Sequence, residues 1–305
     1  MSNNIQWCSI RPKYAKHLCT YERCHAVRTE TILITCKYCG SENVVKYGKK
    51  GDTQYYWCKD CNHTFAWNNA LPGMRYPSEQ IAAAISLFYD GLSFDAIRRQ
   101  LDSLYQVYPS DSTVYEWIVR FTKVAVKEAK LSDIQVGDIW IADETVLKID
   151  TGDVWFWDII DDETRFLLAS HMSISRTTKD AEMLMSKALE ATNKAPKVII
   201  TDKLRAYLDG IELVFGADTK HVLSEGFTIE PNTNLIERFH GTLKARTKIM
   251  RGMQNRETAR LIMDGWLVHY NFFRPHEALG NKTPSELAKA IFPYKNWKDI
   301  VAASK

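Results

Sequence analysis

The chain has 305 residues, 45% of them hydrophobic and 25% charged, which is ordinary for a globular protein with a sizeable core and one or two small modules. Its formal net charge of +3 is too small to indicate a nucleic-acid partner by itself. No apolar run approaches the length that spans a bilayer and the N-terminus lacks a signal-peptide core, so we expect a cytoplasmic protein without a membrane partner.

The first 35 residues contain cysteines and histidines whose spacing fits no zinc module. They hold Cys8, Cys19 and Cys24 together with His17 and His25. Because disulfides are rare in the cytoplasm, these cysteines are expected to be ordinary thiols. A second metal site in this N-terminal segment is the less favoured alternative.

Two Cys-X-X-Cys pairs follow this segment, and 18 residues separate them. The pairs are Cys36 with Cys39 and Cys58 with Cys61. Four cysteines at this spacing are typical of a structural zinc site. We therefore predict a zinc ribbon over residues 36–70 that binds one Zn²⁺.

Between the cysteine pairs, residues 44–47 and 54–57 alternate like two short strands around a glycine-containing turn. So small a unit buries little apolar surface, and the metal is expected to supply most of its folding free energy. Two roles stay open for the ribbon. It is either purely structural, or it contacts DNA or a second copy of the chain through Lys46, Lys49 and Lys50.

Residues 77–130 change to helical periodicity. Apolar residues recur at helix spacing in three stretches that begin near Ser78, Ser93 and Asp111. Three short helices with a glycine turn at Asp90-Gly91 predict a helix-turn-helix DNA-binding domain. The side chains expected to face DNA are Arg98, Arg99, Tyr115 and Arg120.

From about residue 136 the pattern is that of strands. Residues 138–149, 154–160 and 165–170 are predicted to form three antiparallel strands joined by hairpins. A helix from about Thr178 to Ala191 and a buried strand over residues 198–201 follow, then a short helix through Leu204, Tyr207 and Leu208. Strands and helices interleaved in this way indicate an α/β domain.

Three acidic residues are candidates for a metal site. Asp143 follows residues 138–142 and Asp202 follows residues 198–201, so each is expected to project from the sheet where a strand ends. Glu237 lies at the start of a predicted helix. Three carboxylates form an oxygen-only site that suits Mg²⁺ or Mn²⁺, and two ions there would hold the attacking and leaving oxygens of a phosphoryl transfer.

The helix that begins near Asn234 has two different sides. At about 100° per residue, one side is an apolar stripe of Leu235, Ile236, Phe239 and Leu243. The other side places cations after Glu237, which favours binding of a DNA backbone over a merely solvated surface. The candidate DNA-binding residues of this segment are His240, Lys244, Arg246, Lys248 and Arg251.

Other polar residues near these acids have simpler interpretations. Asp158 and Asp161 also flank a strand end and are alternative candidates for the catalytic role of Asp143. A hairpin turn explains Asp161 without chemistry, and we rank both residues below Asp143 as catalytic acids. Glu144 is expected to point to the opposite side of its strand. His240, one helical turn after Glu237, either contacts the scissile phosphate or a bound water, or only hydrogen-bonds Glu237.

Four motifs in this order resemble the DDE transposases of prokaryotic insertion sequences, within the retroviral-integrase and RNase H-like superfamily. Together they cover residues 138 to 288, about half the chain, and 34 residues separate Asp202 from Glu237 as in that family. The motifs are Ile141-Ala142-Asp143-Glu144-Thr145, Ile200-Thr201-Asp202-Lys203, the stretch from Glu237 to Lys244, and His269-Tyr270-Asn271-Phe272-Phe273-Arg274-Pro275-His276, which continues into Thr283-Pro284-Ser285-Glu286.

The resemblance implies an RNase H-like integrase catalytic domain over residues 136–292, with a C-terminal tail at 293–305. Relatives also place a zinc ribbon and a helix-turn-helix before this core. By resemblance, Lys244 corresponds to the lysine that contacts DNA ends. The implied partners are the terminal inverted repeats of a mobile element, a target duplex and a second copy of the chain in a dimer or larger assembly.

The resulting hypothesis is a transposase in which Asp143, Asp202 and Glu237 hold two divalent ions. The enzyme would nick the element's end and direct the freed 3′-hydroxyl onto a target phosphodiester. The first alternative is an RNase H-like nuclease that cuts without joining. The second is a non-catalytic DNA-binding regulator derived from such an enzyme.

Overall fold

The structure is a computed structural model that describes residues 33–68, 70–129, 134–224, 233–249 and 255–304. The chain divides after Trp67 into two compact units, Met1–Trp67 and Asn68–Lys305. The thiols predicted at Cys8, Cys19 and Cys24 lie outside the described residues. Within the described residues, no helix combines the length and apolar character needed to cross a membrane.

The first unit contains a small antiparallel sheet. Its strands are β1 (Val44–Lys50), β2 (Thr53–Cys58) and β3 (Thr64–Ala66), in the order β1-β2-β3. The two predicted strands are confirmed, and Gly51 makes their turn with a positive φ of 58°. The third strand was not predicted because three residues are too few to show an alternating pattern.

Three helices open the second unit: α1 (Ser78–Tyr89), α2 (Phe94–Tyr105) and α3 (Asp111–Glu128). The predicted starts are confirmed, because Ser93 and Ser110 each cap a helix by accepting a backbone N–H. Apolar residues that recur at helix spacing are buried, among them Ile85, Leu101 and Phe121. These helices therefore have one apolar side that packs into the core of the unit.

A five-stranded sheet forms the centre of the second unit. Its strands are β4 (Ile139–Ile149), β5 (Gly152–Asp161), β6 (Leu167–Ser173), β7 (Val198–Thr201) and β8 (Lys220–Leu223), in the order β6-β5-β4-β7-β8. The first three strands are antiparallel, as predicted, whereas β4, β7 and β8 run parallel. A mixed sheet of this order, flanked by helices, is the α/β arrangement predicted for an integrase-type core.

Helices cover both sides of this sheet. They are α4 (Thr178–Thr192), α5 (Arg205–Phe215), α6 (Asn234–Ile249), α7 (Arg256–Val268), α8 (Pro284–Leu287) and α9 (Trp297–Ala303). The pair α4 and α5 packs on one side, and α6 packs against β4 and β5. Because successive residues of a strand point to opposite sides, β4 serves both helix layers.

The three N-terminal helices pack directly on the C-terminal part of the second unit. α1 contacts α9, and α3 contacts α7. Tyr89 of α1 bonds Thr122 of α3 at 2.6 Å, and its ring stacks on Trp297 of α9. Residues 293–305, predicted as a tail, thus contain a helix that completes the core.

The aromatic segment at residues 269–276 packs against the sheet. It begins with a π-helical turn, His269–Phe273. Asn271 within the turn donates to the carbonyl of Leu167 and accepts from its N–H, both at 3.0 Å. This pair of hydrogen bonds attaches the segment to the start of edge strand β6.

Candidate active site

Asp143 and Asp202 lie next to each other at a gap in the sheet. The parallel pairing of β4 with β7 runs from Ile139 opposite Val198 to Ile141 opposite Ile200, and β7 ends at Thr201. Asp202 follows at once, so it comes level with Asp143 beside the unpaired edge of β4. Asp143 was expected at a strand end, but β4 continues to Ile149; the gap exists because β7 is short.

Three carboxylates meet at this gap. One oxygen each of Asp143, Glu144 and Asp202 lies within 4.8 Å of the others, and we call these three residues the acid cluster. Asp143 and Asp202 are partly accessible, whereas only 3% of the Glu144 side chain is exposed. Carboxylate oxygens at such separations are ligands of the kind that Mg²⁺ and Mn²⁺ prefer, so the cluster fits a divalent ion.

Glu144 joins the cluster from the opposite side of β4, which is the side predicted for it. Tyr207 of α5 donates to one carboxylate oxygen at 2.8 Å, and Arg176 pairs with the other. Burial raises the pKa of Glu144, and the bond from Tyr207 opposes that shift. Its proximity to the other acids was missed because alternation fixes the side of a strand but not the reach of a longer side chain.

His240 of α6 lies between two carboxylates. Its Nδ1 is 3.3 Å from an oxygen of Asp143, and its Nε2 is 3.1 Å from an oxygen of Asp158. Burial lowers the pKa of His240, but the two carboxylates outweigh burial and raise it to about 9. Burial raises the pKa of Asp158 to about 6 against the effect of His240. Both acids favour the protonated ring, which offers an N–H to each of them.

Glu237 occupies the first turn of α6, as predicted. Its carboxylate accepts a hydrogen bond from Thr233 at 2.9 Å. Among the described residues it stands apart from the acid cluster, because Asp143, Asp202 and Glu237 do not all come within 4.8 Å of one another. The structure thus brings Asp143 and Asp202 together and places Glu237 at a distance of one helical turn from His240.

The predicted cations of α6 fall into two groups. Lys244 and Lys248 are exposed. Arg246 differs from the expectation of a DNA contact, because only 3% of it is exposed and its guanidinium lies 4.0 Å from the ring centre of Phe88. Arg251 lies outside the described residues. His240 is likewise buried, at 4% exposure, and contacts acids in place of solvent.

The candidate DNA-facing residues of α2 and α3 remain mostly on the surface. Arg99, Tyr115 and Arg120 are exposed, and Arg99 pairs with Asp95 in its own helix. Arg98 instead donates to the carbonyl of Pro109 at 2.7 Å and to Asp111 at 2.8 Å. It therefore braces the turn between the two helices in this structure.

The four predicted zinc ligands of the first unit converge. Their sulfurs all lie within 4.8 Å of one another, with 3.5 Å between Cys36 and Cys61 and 3.6 Å between Cys39 and Cys58. A tetrahedral Zn²⁺ with bonds of about 2.3 Å would place sulfurs roughly 3.8 Å apart. The cluster is therefore compatible with the predicted zinc ribbon.

Comparison with known families identifies the class of the sheet-containing region. Residues 137–276 match the family model of a DDE domain of transposases. These residues contain the acid cluster, Glu237 and all five strands of the large sheet. The match identifies this region as a DDE transposase domain and confirms that part of the resemblance inferred from the four motifs. A sequence comparison with curated proteins gave no match.

Solved structures with similarity to the chain include retroviral integrases. The HTLV-2 integrase catalytic core domain in complex with magnesium has a TM-score of 0.40 and 19% identity, and the match covers 52% of this chain and 99% of that one. A simian T-cell lymphotropic virus intasome gives 0.41 and 15%, covering 64% and 77%. The catalytic core domain of BIV integrase gives 0.37 and 13%, covering 50% and 94%.

Proposed function

We propose that the protein is a transposase that binds the terminal inverted repeats of an insertion sequence and catalyses metal-dependent strand cleavage and strand transfer. The observation that carries the proposal is the meeting of Asp143 and Asp202 at the gap where β7 ends. It is supported by the DDE domain over residues 137–276. Its catalytic residues would be Asp143, Asp202 and Glu237.

The acid cluster fits Mg²⁺ or Mn²⁺ by its donor set, and bound ions would polarise the phosphate and the attacking oxygen. Asp143 and Asp202 would hold them at the open edge of β4. His240 contacts Asp143 from α6, and Glu237 lies one helical turn before His240 on the same helix. With ions carrying the polarisation, no side chain needs to act as a nucleophile.

The exposed cations give the proposed DNA contacts. Lys244 and Lys248 follow the acids along α6, and each phosphate contact would release counterions and make binding salt-dependent. Arg99 and Arg120 would bind the repeat through α2 and α3, and Arg98, which was also predicted to face DNA, holds the turn between these helices. Two ends must be brought together, so we propose a dimer or larger assembly on DNA, with one structural Zn²⁺ in each ribbon.

The substitution Asp202→Asn tests the catalytic assignment. It removes one charge from the site but no cation that would contact DNA. We expect repeat DNA binding within a factor of about two, and strand transfer reduced by more than the roughly 100-fold that loss of an outer metal contact produces. The assay joins a pre-cut, labelled repeat end to a second duplex in Mg²⁺.

The result separates the proposal from its alternatives. Cleavage by wild-type protein without any joined product would indicate a nuclease. DNA binding without either reaction, in Mg²⁺ and in Mn²⁺, would indicate a regulator. Full strand transfer by Asp202→Asn would refute the assignment of the acids.

A further inference from the structure

Asp158 lies directly behind the acid cluster. It is the register partner of Asp143 across the antiparallel pair β4 and β5, so both side chains point to the side of the sheet that α6 covers. Asp158 has no exposed surface, whereas Asp143 keeps 18% of its side chain accessible. His240 fills the space between them and contacts both.

The bonding of Asp158 is unusual for a buried acid. One carboxylate oxygen meets His240, and the other has no hydrogen-bond partner among the described residues. A buried carboxylate without full pairing lowers stability, so the fold gains little by keeping it. The burial of the Asp158 carboxylate is better explained by its effect on His240, its one hydrogen-bond partner among the described residues.

Asp161 on the same strand shows what a structural acid looks like here. It is equally buried, but its carboxylate accepts from the N–H of Gly137 at 2.9 Å and from both the N–H and the hydroxyl of Thr164. The bonds from Thr164 hold the β5 to β6 turn together, and the bond from Gly137 joins the turn to the segment before β4. The carboxylate of Asp158 accepts no backbone N–H in the described part of the chain, and it stabilises no turn.

We propose that Asp158 is a positioning residue for the metal site: it orients the ring of His240, and His240 in turn holds the Asp143 carboxylate towards Asp202. This inference rests on the function proposed above. It gives Asp158 no contact with substrate or ion, since the ring lies in between. Hydrogen-bonded partners behind a metal ligand commonly fix the ligand's orientation, and their loss costs about 10–100-fold in affinity or activity.

The test measures Mn²⁺ binding to the full, zinc-loaded chain by electron paramagnetic resonance, together with the melting temperature. Asp158→Leu keeps the approximate volume and removes both the acceptor and the unpaired oxygen. We expect the Kd for Mn²⁺ to rise by about 10–100-fold while the melting temperature stays the same or increases. Asp158→Asn, which keeps one acceptor oxygen, should restore part of the affinity.

The matched control is Asp161→Leu, which removes an equally buried acid from the same strand. Since it loses three hydrogen bonds, two of them within the turn, it should melt at a lower temperature with an unchanged Kd for Mn²⁺. A purely structural Asp158 would behave in the same way. If Asp158→Leu does not fold, Asp158→Ala takes its place, and an unchanged Kd in either variant overturns the inference.

Two further variants separate this inference from the proposed function. In a His240→Ala background, Asp158→Leu should have no additional effect on the Kd, because both act through one chain of contacts; an additive effect contradicts the inference. Asp202→Asn should abolish Mn²⁺ binding. If Asp202→Asn does not change the Kd for Mn²⁺, the proposed function is refuted as well. If Asp202→Asn abolishes Mn²⁺ binding but Asp158→Leu leaves the Kd unchanged, only the positioning role is refuted.

Discussion

The zinc ribbon and the sheet-containing unit are stabilised by different means. In the described part of the ribbon, the buried core is Phe65 with two of the cysteines, Cys36 and Cys58. The second unit instead has a continuous apolar core that extends from α1 to α9 and includes both sides of the sheet. A unit with so small an apolar core would depend on a bound metal, so the two parts should respond to different perturbations.

Removal of zinc is the strongest way to test this contrast. A chelator, or the substitution Cys58→Ser, should abolish the β structure of the ribbon, because metal binding supplies most of its folding free energy. The melting temperature of the second unit should stay within about 2 °C, since a small change in stability shifts it little. Backbone NMR spectra and a zinc assay report both effects.

Lys59→Ala is the control for this experiment, because Lys59 lies between Cys58 and Cys61 and its side chain is exposed. It should retain one zinc per chain and the ribbon spectrum. A ribbon that keeps its β structure after complete removal of zinc would contradict the contrast between the units.

Gly265 in α7 tests the packing of the second unit. A Cβ at this position would lie 2.2 Å from the hydroxyl of Tyr89 and 2.4 Å from a methyl of Thr122. Gly265→Ala therefore forces α3 and α7 apart and should cost about 1–3 kcal/mol, measured by urea unfolding. Gly241→Ala in α6 meets nothing within 4 Å and should instead add about 0.5–1 kcal/mol. Equal effects would show that the α3 and α7 contact is loose.

The sequence contained enough to place the acids Asp143 and Asp202 but not to explain their meeting. Buried strands followed by acids were visible in the pattern, whereas the gap beside β4 depends on how far β7 extends. Asp158 could have been found from the two-residue hairpin at Asp150 and Thr151, since pairing of Ile149 with Gly152 puts Asp158 opposite Asp143.

The burial of Arg246 could not have been read from helical periodicity. A spacing of 100° per residue gives the sides of one helix, but it does not reveal which neighbour covers them. Here the carbonyl of Leu92, in the turn between α1 and α2, and the ring of Phe88, in α1, cover the guanidinium. Contacts between residues 154 positions apart depend on tertiary packing.

Arg246 also tests whether the second unit is held together by apolar contact alone. Two of its nitrogens are buried without a hydrogen-bond partner among the described residues. Arg246→Met keeps the packing and removes the buried charge, so it should be neutral or stabilising by up to about 1 kcal/mol, whereas Arg246→Ala should lose about 1–2 kcal/mol. Lys244→Ala, on the exposed side of α6, should leave stability unchanged and weaken DNA binding.

An acid titration should unfold the two units at different pH values. Within the second unit, the contribution of the single residue Asp138 is the smallest effect that we predict. Cysteine ligands must be deprotonated, so the ribbon should lose zinc and unfold first as the pH falls. In the second unit, hydrogen bonds from Lys194 and Lys197 lower the pKa of Asp138 from 3.8 to about 2. A lowered pKa stabilises the fold above pH 3.8, and this contribution disappears as the pH falls towards 2.

Because Asp138 is solvent-exposed, its contribution to stability is small. Asp138→Asn should therefore only slightly reduce the loss of unfolding free energy of the second unit between pH 4 and pH 2. The measurement is urea unfolding followed by tryptophan fluorescence at a series of pH values. Added salt should reduce the difference between wild type and variant, because exposed ion pairs are screened. A ribbon that outlasts the second unit in acid would reverse the contrast, since it would mean that the apolar core is the weaker of the two sources of stability.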